Sequence, residues 1–251
     1  MIHSILLIGQ SNMGGRGNPE DVDPIQNPQL KVMRNGRWQP MYVPVNPDRC
    51  FSGVNLAESF ADAYSKAHPE AEVGLIPCAD GGTMMDQWMP GTLLFDHAVY
   101  MSKLAQRTST IAAVLWHQGE ADCLPPRFET YEPKLEVMFA ALRKELNLHD
   151  IPFIVGGLGD FLKDREESPF GVNYAIINQQ LKHYAFTHPL TGFVSAEGLQ
   201  DNKDKLHFNA KSLREFGLRY YAEFEKLENK EKVFEEKPLM DAAIRTEFDA
   251  L

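Results

Sequence analysis

The sequence predicts a single α/β domain, a three-layer α/β/α sandwich whose central, mostly parallel sheet has five strands. Two observations predict this class. Short apolar runs alternate along the chain with longer segments of helical periodicity, which is typical of crossover connections between parallel strands. The 251 residues, of which 43% are hydrophobic and 24% charged, are also sufficient for one packed core without a crosslink or a metal.

Five apolar runs are the candidate strands. Four of them are rich in β-branched residues or leucine, as buried parallel strands are, and they cover residues 5–8, 73–76, 111–116 and 153–158. The fifth, at residues 193–196, is shorter. We expect all five to lie in one sheet that is covered on both faces.

Helical patterns separate these strands. Asn55 followed by Glu58 forms a capping pair, and the apolar residues that follow share one face until Pro69 ends the helix. Apolar residues between Tyr131 and Leu146 form a second stripe at helical spacing. Further helices are expected at about residues 98–106, 172–184 and 209–228.

Two segments do not fit the alternation. Residues 14–54 contain glycine, proline, asparagine and single aromatics without sustained periodicity, and such a long irregular segment is usually functional or disordered. We interpret it as a loop that forms one wall of the functional site. Residues 229–251 are charged and end in a short amphipathic pattern. We therefore expect one domain over residues 1–228 and a C-terminal extension over 229–251, either a helix docked on that domain or an oligomer contact.

Charge and cysteine content narrow the partners and the compartment. The chain has 35 acidic and 25 basic residues and a net charge of −10, which argues against nucleic acid or an anionic membrane surface as a partner. No apolar run reaches the ~18–20 residues of a membrane span, and the first residues lack the pattern of a signal peptide. The three cysteines are widely spaced and are expected to be reduced thiols. We therefore expect a cytoplasmic protein.

The strongest local signal is the segment GQSNM at residues 9–13, directly after the first strand. Ligands of open parallel sheets bind outside the carboxyl ends of the strands, so Ser11 lies where a nucleophile would be useful. The glycine-x-serine-x-glycine elbow of other hydrolases is not met, because position 13 is methionine. Taken alone, such a serine is more often a turn or capping residue.

The partners that would activate a serine occur near the other end of the domain. Asp204 and His207 are three residues apart in the segment DKLHF, and this spacing allows one turn to present both side chains. An imidazole can take the serine proton, and a carboxylate fixes the imidazole tautomer and stabilises its charged form. The chain order is Ser, Asp, His.

Two further polar segments follow predicted strands. The segment WHQGE at residues 116–120 places polar side chains where an oxyanion donor is needed. The segment CADGGT at residues 78–83 contains two glycines that let the backbone approach a ligand. His117 and Glu120 could also be read as metal ligands, but no HExxH motif or Cys/His cluster accompanies them. A phosphate loop is disfavoured because its lysine and its GxGxxG spacing are missing. We expect no metal and no cofactor.

Together the segments GQSNM, CADGGTMMDQW, LWHQGEAD and DKLHF, in this order, resemble the SGNH hydrolases. Within that superfamily they are most similar to the branch of sialate O-acetylesterases and acetyl xylan esterases, carbohydrate esterase family six. The resemblance extends from about residue 4 to residue 220. It implies an SGNH, flavodoxin-like fold and a serine esterase that removes O-acetyl groups from carbohydrates.

The resemblance also implies roles for individual residues. Ser11 matches the nucleophile, His207 the general base and Asp204 the carboxylate that orients it. The oxyanion hole would comprise the Ser11 amide, Gly82, preferred over Gly81, and the side chain of Gln118. Residues expected to support the site or bind substrate are Gln10, Asn12, Glu120 and Trp88, of which Glu120 would orient either a donor or the base.

Two alternative functions are kept. The first is a broader SGNH lipase-like esterase or thioesterase acting on short acyl chains. Taking both hydrolase possibilities together, we expect the substrate to be an acetylated carbohydrate or another small ester. The second is a carbohydrate-binding protein of the same fold without turnover, which is disfavoured because all three triad residues are present. Neither the acetylated sugar nor a homo-oligomeric state is decided by the sequence.

Overall fold

The computed structural model describes residues 1–165 and 170–228. Over these residues the protein has one seven-stranded sheet, with the strand order β3-β2-β4-β1-β5-β6-β7. All neighbouring strands are parallel except β2 and β3, which form an antiparallel pair at one edge. The strands are β1 Ile2–Gly9, β2 Leu30–Arg34, β3 Arg37–Pro40, β4 Glu72–Pro77, β5 Thr110–His117, β6 Phe153–Gly156 and β7 Thr191–Val194.

Helices cover both faces of this sheet. Their bounds are α1 Ser11–Gly14, α2 Ala57–Ala67, α3 Leu93–Ala105, α4 Tyr131–Leu146, α5 Phe170–Thr187 and α6 210–228. One apolar core lies beneath α2 and α6 and includes Phe60 and Phe216, whereas a second lies beneath α3, α4 and α5 and includes Phe95, Phe139 and Leu181. The predicted three-layer α/β/α class is therefore confirmed.

The predicted number of strands, five, is wrong. The two additional strands, β2 and β3, come from the segment 14–54, which the sequence analysis interpreted entirely as a loop. Asn35 and Gly36 connect them with φ values of 50° and 72°, the positive values that a tight hairpin turn requires and that the Asn-Gly pair adopts readily. β2 pairs with β4 in parallel, and this pairing buries Leu30 and Val32. The Asn-Gly pair was therefore an overlooked signal for this hairpin.

The other elements agree with the predicted positions and differ at their ends. The backbone amide of Asn55 donates to Glu58 Oε1, and the amide of Ala57 donates to Asn55 Oδ1, so the predicted capping pair at the start of α2 is present. The apolar stripe of α4 between Tyr131 and Leu146 is buried. α3 begins five residues earlier than predicted, and α5 is longer at both ends.

Several expectations concern the chain ends and the cysteines. The predicted extension at 229–251 lies outside the described residues. Among the residues that the structure describes, no helix is both long and apolar enough to cross a membrane. Cys50, Cys78 and Cys123 are all free thiols, and the first is exposed.

The sheet topology brings three of the four sequence segments to the same edge. β1, β4 and β5 are adjacent and parallel, so their carboxyl ends deliver the segments that begin at Gly9, Cys78 and His117 to one place. The fourth segment, with Asp204 and His207, lies in the loop between β7 and α6. An isolated bridge between Asp201 and Phe208 closes this loop.

Candidate active site

The turn after β1 presents Ser11 at the edge of the sheet. Gly9 has φ 132°, and a Cβ at this position would lie 2.1 Å from the carbonyl oxygen of His117 on the adjacent strand. The backbone amide of Gln10 donates to that same carbonyl. Glycine is therefore required at position 9, because only a residue without Cβ lets β1 approach β5 and turn sharply into α1. Ser11 is the first residue of this short helix.

Ser11, His207 and Asp204 form a continuous chain of hydrogen bonds. His207 Nε2 lies 3.0 Å from Ser11 Oγ, and His207 Nδ1 lies 2.6 Å from Asp204 Oδ2. With the proton on Nδ1 donated to Asp204, Nε2 is free to accept the proton of the Ser11 hydroxyl. The structure thus brings together three residues that are separated by up to 196 positions.

Asp204 is held as a carboxylate. Its partial burial opposes ionisation, but the His207 side chain and the backbone amides of His207 and Leu206 all donate to it and lower its pKa to about 2. A carboxylate that stays ionised at neutral pH can stabilise the positive charge that His207 acquires when it accepts a proton.

Asn12 anchors the loop that carries His207. Its side-chain Nδ2 donates to the carbonyl oxygen of Leu206, and its Oδ1 accepts from the amide of Phe208. These are the two residues on either side of His207. Because Asn12 also follows Ser11 directly, a single buried side chain fixes the position of the base relative to the nucleophile.

Glu120 completes this support from the third segment. Its Oε1 accepts from Asn12 Nδ2 at 2.5 Å and lies 3.4 Å from His117 Nε2. Complete burial opposes ionisation of Glu120, but His117 and Asn12 more than offset this and lower its pKa. The structure therefore couples Glu120 to the anchor of the His207 loop, whereas Asp204 is the carboxylate that hydrogen-bonds the His207 ring.

The two glycines of the second segment differ in how their amides are used. The Gly81 amide donates to Asp48 Oδ2 at 2.9 Å. By contrast, nothing among the described residues accepts from the amide of Gly82, which has φ 79° and lines the same cavity as Ser11. Of the two glycines, Gly82 therefore has the amide that is available for a ligand. The Ser11 amide is available too, because the first amides of a helix have no intrahelical partner.

The segment 14–54 fixes this second segment through Asp48. Burial opposes ionisation of Asp48, but two nearly parallel bonds from Arg16, at 3.0 and 2.6 Å, and bonds from Ser52 and Gly81 lower its pKa. A Cβ on Gly81 would lie 2.5 Å from Arg16 Nη2. The salt bridge therefore packs directly against Gly81 and holds the turn next to Ser11.

The structure places Gln118 and Trp88 away from the cavity, and Asn12 does not line it either. Gln118 is fully buried, and its Nε2 donates to the carbonyl of Thr83 and to Asp122, so this amide group is engaged and does not line the cavity. Trp88 is also buried: its Nε1 donates to Thr83 Oγ1 and its ring packs edge-on against Trp116. The expectation that Gln118 and Trp88 act directly on a ligand is therefore wrong. Both side chains instead support the segment that carries Gly82.

The cavity over Ser11 has a volume of about 320 Å³, near the lower end of the range for small-molecule sites, ~300–1,000 Å³. Gln10 lines it as expected, with its Oε1 3.4 Å from the amides of Gly119 and Ala121. The cavity is lined by Gln10, Ser11, Arg16, Arg49, Phe51, Gly81, Gly82, Glu120, Ala121, Leu206 and His207.

Five of these lining residues were not among the predicted site residues. Ala121 and Leu206 lie within the segments that the sequence singled out, whereas Arg16, Arg49 and Phe51 come from segment 14–54, where no local motif marks them. Arg49 donates to Asp80 and to the carbonyl of Gly81, yet 41% of its side chain stays exposed. The sequence predicted that the whole segment forms a wall of the site, whereas only these three of its residues line the cavity.

Comparison with known protein families shows to which family the chain belongs. The family model for "Carbohydrate esterase, sialic acid-specific acetylesterase" matches residues 2–226. The chain belongs to this family. It is a carboxylic ester hydrolase of the SGNH type, a carbohydrate acetylesterase, as the sequence analysis predicted.

Similar proteins agree with this membership. A probable carbohydrate esterase of Arabidopsis thaliana is 28% identical over 238 residues, which cover 85% of this chain and 86% of the relative. An X-ray structure of an A. thaliana protein has a TM-score of 0.77 and 25% identity, with 89% of this chain and 98% of the other covered. The structure of NanS, with 16% identity and a TM-score of 0.76 over 91% and 98% of the two chains, shares the fold of this acetylesterase family member.

Proposed function

We propose that the chain hydrolyses O-acetyl groups on carbohydrates with Ser11 as nucleophile, His207 as general base and Asp204 as the carboxylate that orients the base. The observation that carries the proposal is the chain of two hydrogen bonds, 3.0 and 2.6 Å long, from Ser11 through His207 to Asp204. It gives the serine a base within reach and gives the base a charged partner.

The reaction proceeds in two halves. His207 Nε2 accepts the Ser11 hydroxyl proton while Oγ attacks the acetyl carbonyl, and the amides of Ser11 and Gly82 donate to the resulting oxyanion. The C–O bond to the sugar then breaks, and the sugar alcohol leaves with the proton from His207. Water repeats these steps on the acetyl-Ser11 ester and releases acetate, which regenerates the free serine.

The third donor expected from the sequence, Gln118, has no direct place in this proposal. Its amide group bonds the Thr83 carbonyl, one residue beyond Gly82. We assign to Gln118 the support of the Gly82 turn. Asn12 and Glu120 support the opposite side by holding the His207 loop.

For the substrate we propose an O-acetylated sialic acid. The support is the partly exposed guanidinium of Arg49 at the mouth of the cavity, which can bind the carboxylate of an acidic sugar, together with the description of the family. The cavity of about 320 Å³ suits an acetyl group and part of a sugar ring better than a long acyl chain.

Acetate release measured in parallel tests both parts of this proposal. The purified protein and Ser11→Ala are given O-acetylated sialic acid, acetylated xylan, para-nitrophenyl acetate and para-nitrophenyl octanoate. We expect turnover of acetate esters that falls by about 10⁶ in Ser11→Ala. A preference for the octanoate ester favours the lipase-like alternative, and binding of the sugars with no turnover favours the non-catalytic alternative.

An Arg49→Gln variant tests the proposed substrate separately from the proposed chemistry at Ser11. It should raise KM for O-acetylated sialic acid and leave KM for acetylated xylan unchanged, because only the first carries a carboxylate. An equal effect on both substrates contradicts the proposed role of Arg49 while leaving the Ser11 chemistry intact.

A further inference from the structure

A cluster of histidine and glutamate side chains lies at the end of the sheet opposite Ser11. His3 is at the start of β1, His68 follows α2, Glu70 precedes β4 and Glu228 is the last described residue of α6. Six residues of strand separate His3 from Gly9, a distance of roughly 20 Å at ~3.3 Å per residue. The cluster is therefore remote from the proposed active site, and none of its members is used there.

The potential ligand atoms of this cluster converge. One atom from each of His3, His68 and Glu70 lies within 4.8 Å of the others. His68 Nδ1 is 3.7 Å from Glu70 Oε1, and its Nε2 is 3.7 Å from Glu228 Oε2. The two separations from His68 exceed hydrogen-bond length and start at opposite nitrogens of its ring. His3, His68 and Glu70 therefore approach a common point, and Glu228 lies at the other nitrogen of His68.

The two imidazoles have unused nitrogen atoms. His3 Nδ1 lies 2.9 Å from the Tyr64 hydroxyl, which leaves Nε2 for another ligand. His68 faces Glu70 with Nδ1, and its Nε2 is buried without a hydrogen-bond partner among the described residues.

We propose that His3, His68 and Glu70 bind one Zn²⁺ ion, with water as the fourth ligand. Two imidazole nitrogens with one carboxylate oxygen are a donor set that Zn²⁺ accepts, whereas Ca²⁺ and Mg²⁺ prefer oxygen ligands alone. Tetrahedral ligands at 2.0–2.2 Å from the ion are about 3.4 Å apart. The cluster must therefore contract by about 1 Å, which the exposed Glu70 can provide by side-chain rotation.

The ion would connect two parts of the chain that are distant in sequence. His3 comes from β1, and His68 and Glu70 come from the turn between α2 and β4. Tyr64 orients His3 from α2 as an outer partner of the kind that fixes ligating histidines. Binding at this place stabilises the folded chain and leaves the chemistry at Ser11 unaffected.

Zinc binding to the full chain tests the proposal. The protein is freed of metals with EDTA, dialysed, and titrated with ZnCl₂ by calorimetry and by thermal unfolding. We expect one site per chain and a Tm that rises with Zn²⁺. His68→Ala should abolish both effects, and Tyr64→Phe should weaken binding about 10–100-fold.

Two variants keep the result interpretable. Glu70→Gln removes an exposed ligand with little risk to folding and should weaken binding, whereas His97→Ala changes an exposed histidine on α3 outside the cluster and should not. Hydrolysis of para-nitrophenyl acetate should be the same with EDTA and with Zn²⁺. Absence of a Tm shift, or binding that Glu70→Gln and His68→Ala leave unchanged, overturns the proposal.

Discussion

Removing the Asn12 side chain should damage both stability and catalysis. In Asn12→Ala the buried amide of Phe208 loses its acceptor and Glu120 Oε1 loses a donor. A buried polar group without a partner costs about 1–3 kcal/mol, so the free energy of unfolding should fall by about 2–6 kcal/mol in total. The residues flanking His207 are then free to shift, and a displacement of about 1 Å costs roughly 10²-fold in kcat. KM should change little, because Asn12 does not line the cavity.

Urea unfolding and para-nitrophenyl acetate kinetics measure the two effects separately. Asn178→Ala is a matched control, since Asn178 also bonds backbone groups through both ends of its side-chain amide, at Leu158, without touching Ser11 or His207. The control should lose stability and keep kcat. If Asn12→Ala keeps the kcat of the unchanged protein, or if both variants lose kcat equally, Asn12 does not position the base.

Three further predictions concern other groups of the site. Gly82→Ala should cost about 1–2 kcal/mol of stability because of the positive φ at this position, and it should lower kcat by about 10²–10³-fold because the amide is displaced. The control is Gly91→Ala, at φ 83° and equally unobstructed, which should lose the same stability and keep full kcat. Equal kcat values in the two variants contradict the oxyanion role of Gly82. Gly9→Ala should prevent soluble expression, because its Cβ meets a backbone carbonyl, so a folded, active variant contradicts the close approach. Asp204→Asn should lower kcat about 10⁴-fold when measured at neutral pH. Because the Asp204 pKa is lowered to about 2, its ionised form stabilises the fold above pH ~4, and this stability is lost as the pH falls towards 2. When the free energy of unfolding is measured between pH ~4 and pH ~2, it should therefore fall less in Asp204→Asn than in the unchanged protein.

The elements predicted from the sequence are those whose signals are local. Continuous apolar runs indicated five of the seven strands, and Asn55 with Glu58 indicated the start of α2. Strands β2 and β3 were missed because charged or polar residues interrupt their apolar ones, in LKVMR and RWQP. Their one clear signal, the Asn-Gly turn at positions 35 and 36, lay within a segment rich in other turn residues.

In the candidate site, too, residues in local motifs were predicted and residues held by long-range contacts were not. Ser11, Asp204 and His207 occur in recognisable segments, and their contact follows from strands that end at one edge of the sheet. The Arg16–Asp48 salt bridge joins positions 32 residues apart and carries no motif. The direction of the Gln118 side chain depends on Thr83 and Asp122, contacts that form only on folding.

The measurement that tests the central claim most directly is detection of the acyl-enzyme. The protein is mixed with para-nitrophenyl acetate, quenched with acid within the first turnover, digested and examined by mass spectrometry. The proposal predicts one acetyl group on the peptide that contains Ser11, and none on the same peptide from Ser11→Ala. Turnover of the ester without acetylation of Ser11, or with acetylation of a different residue, contradicts it.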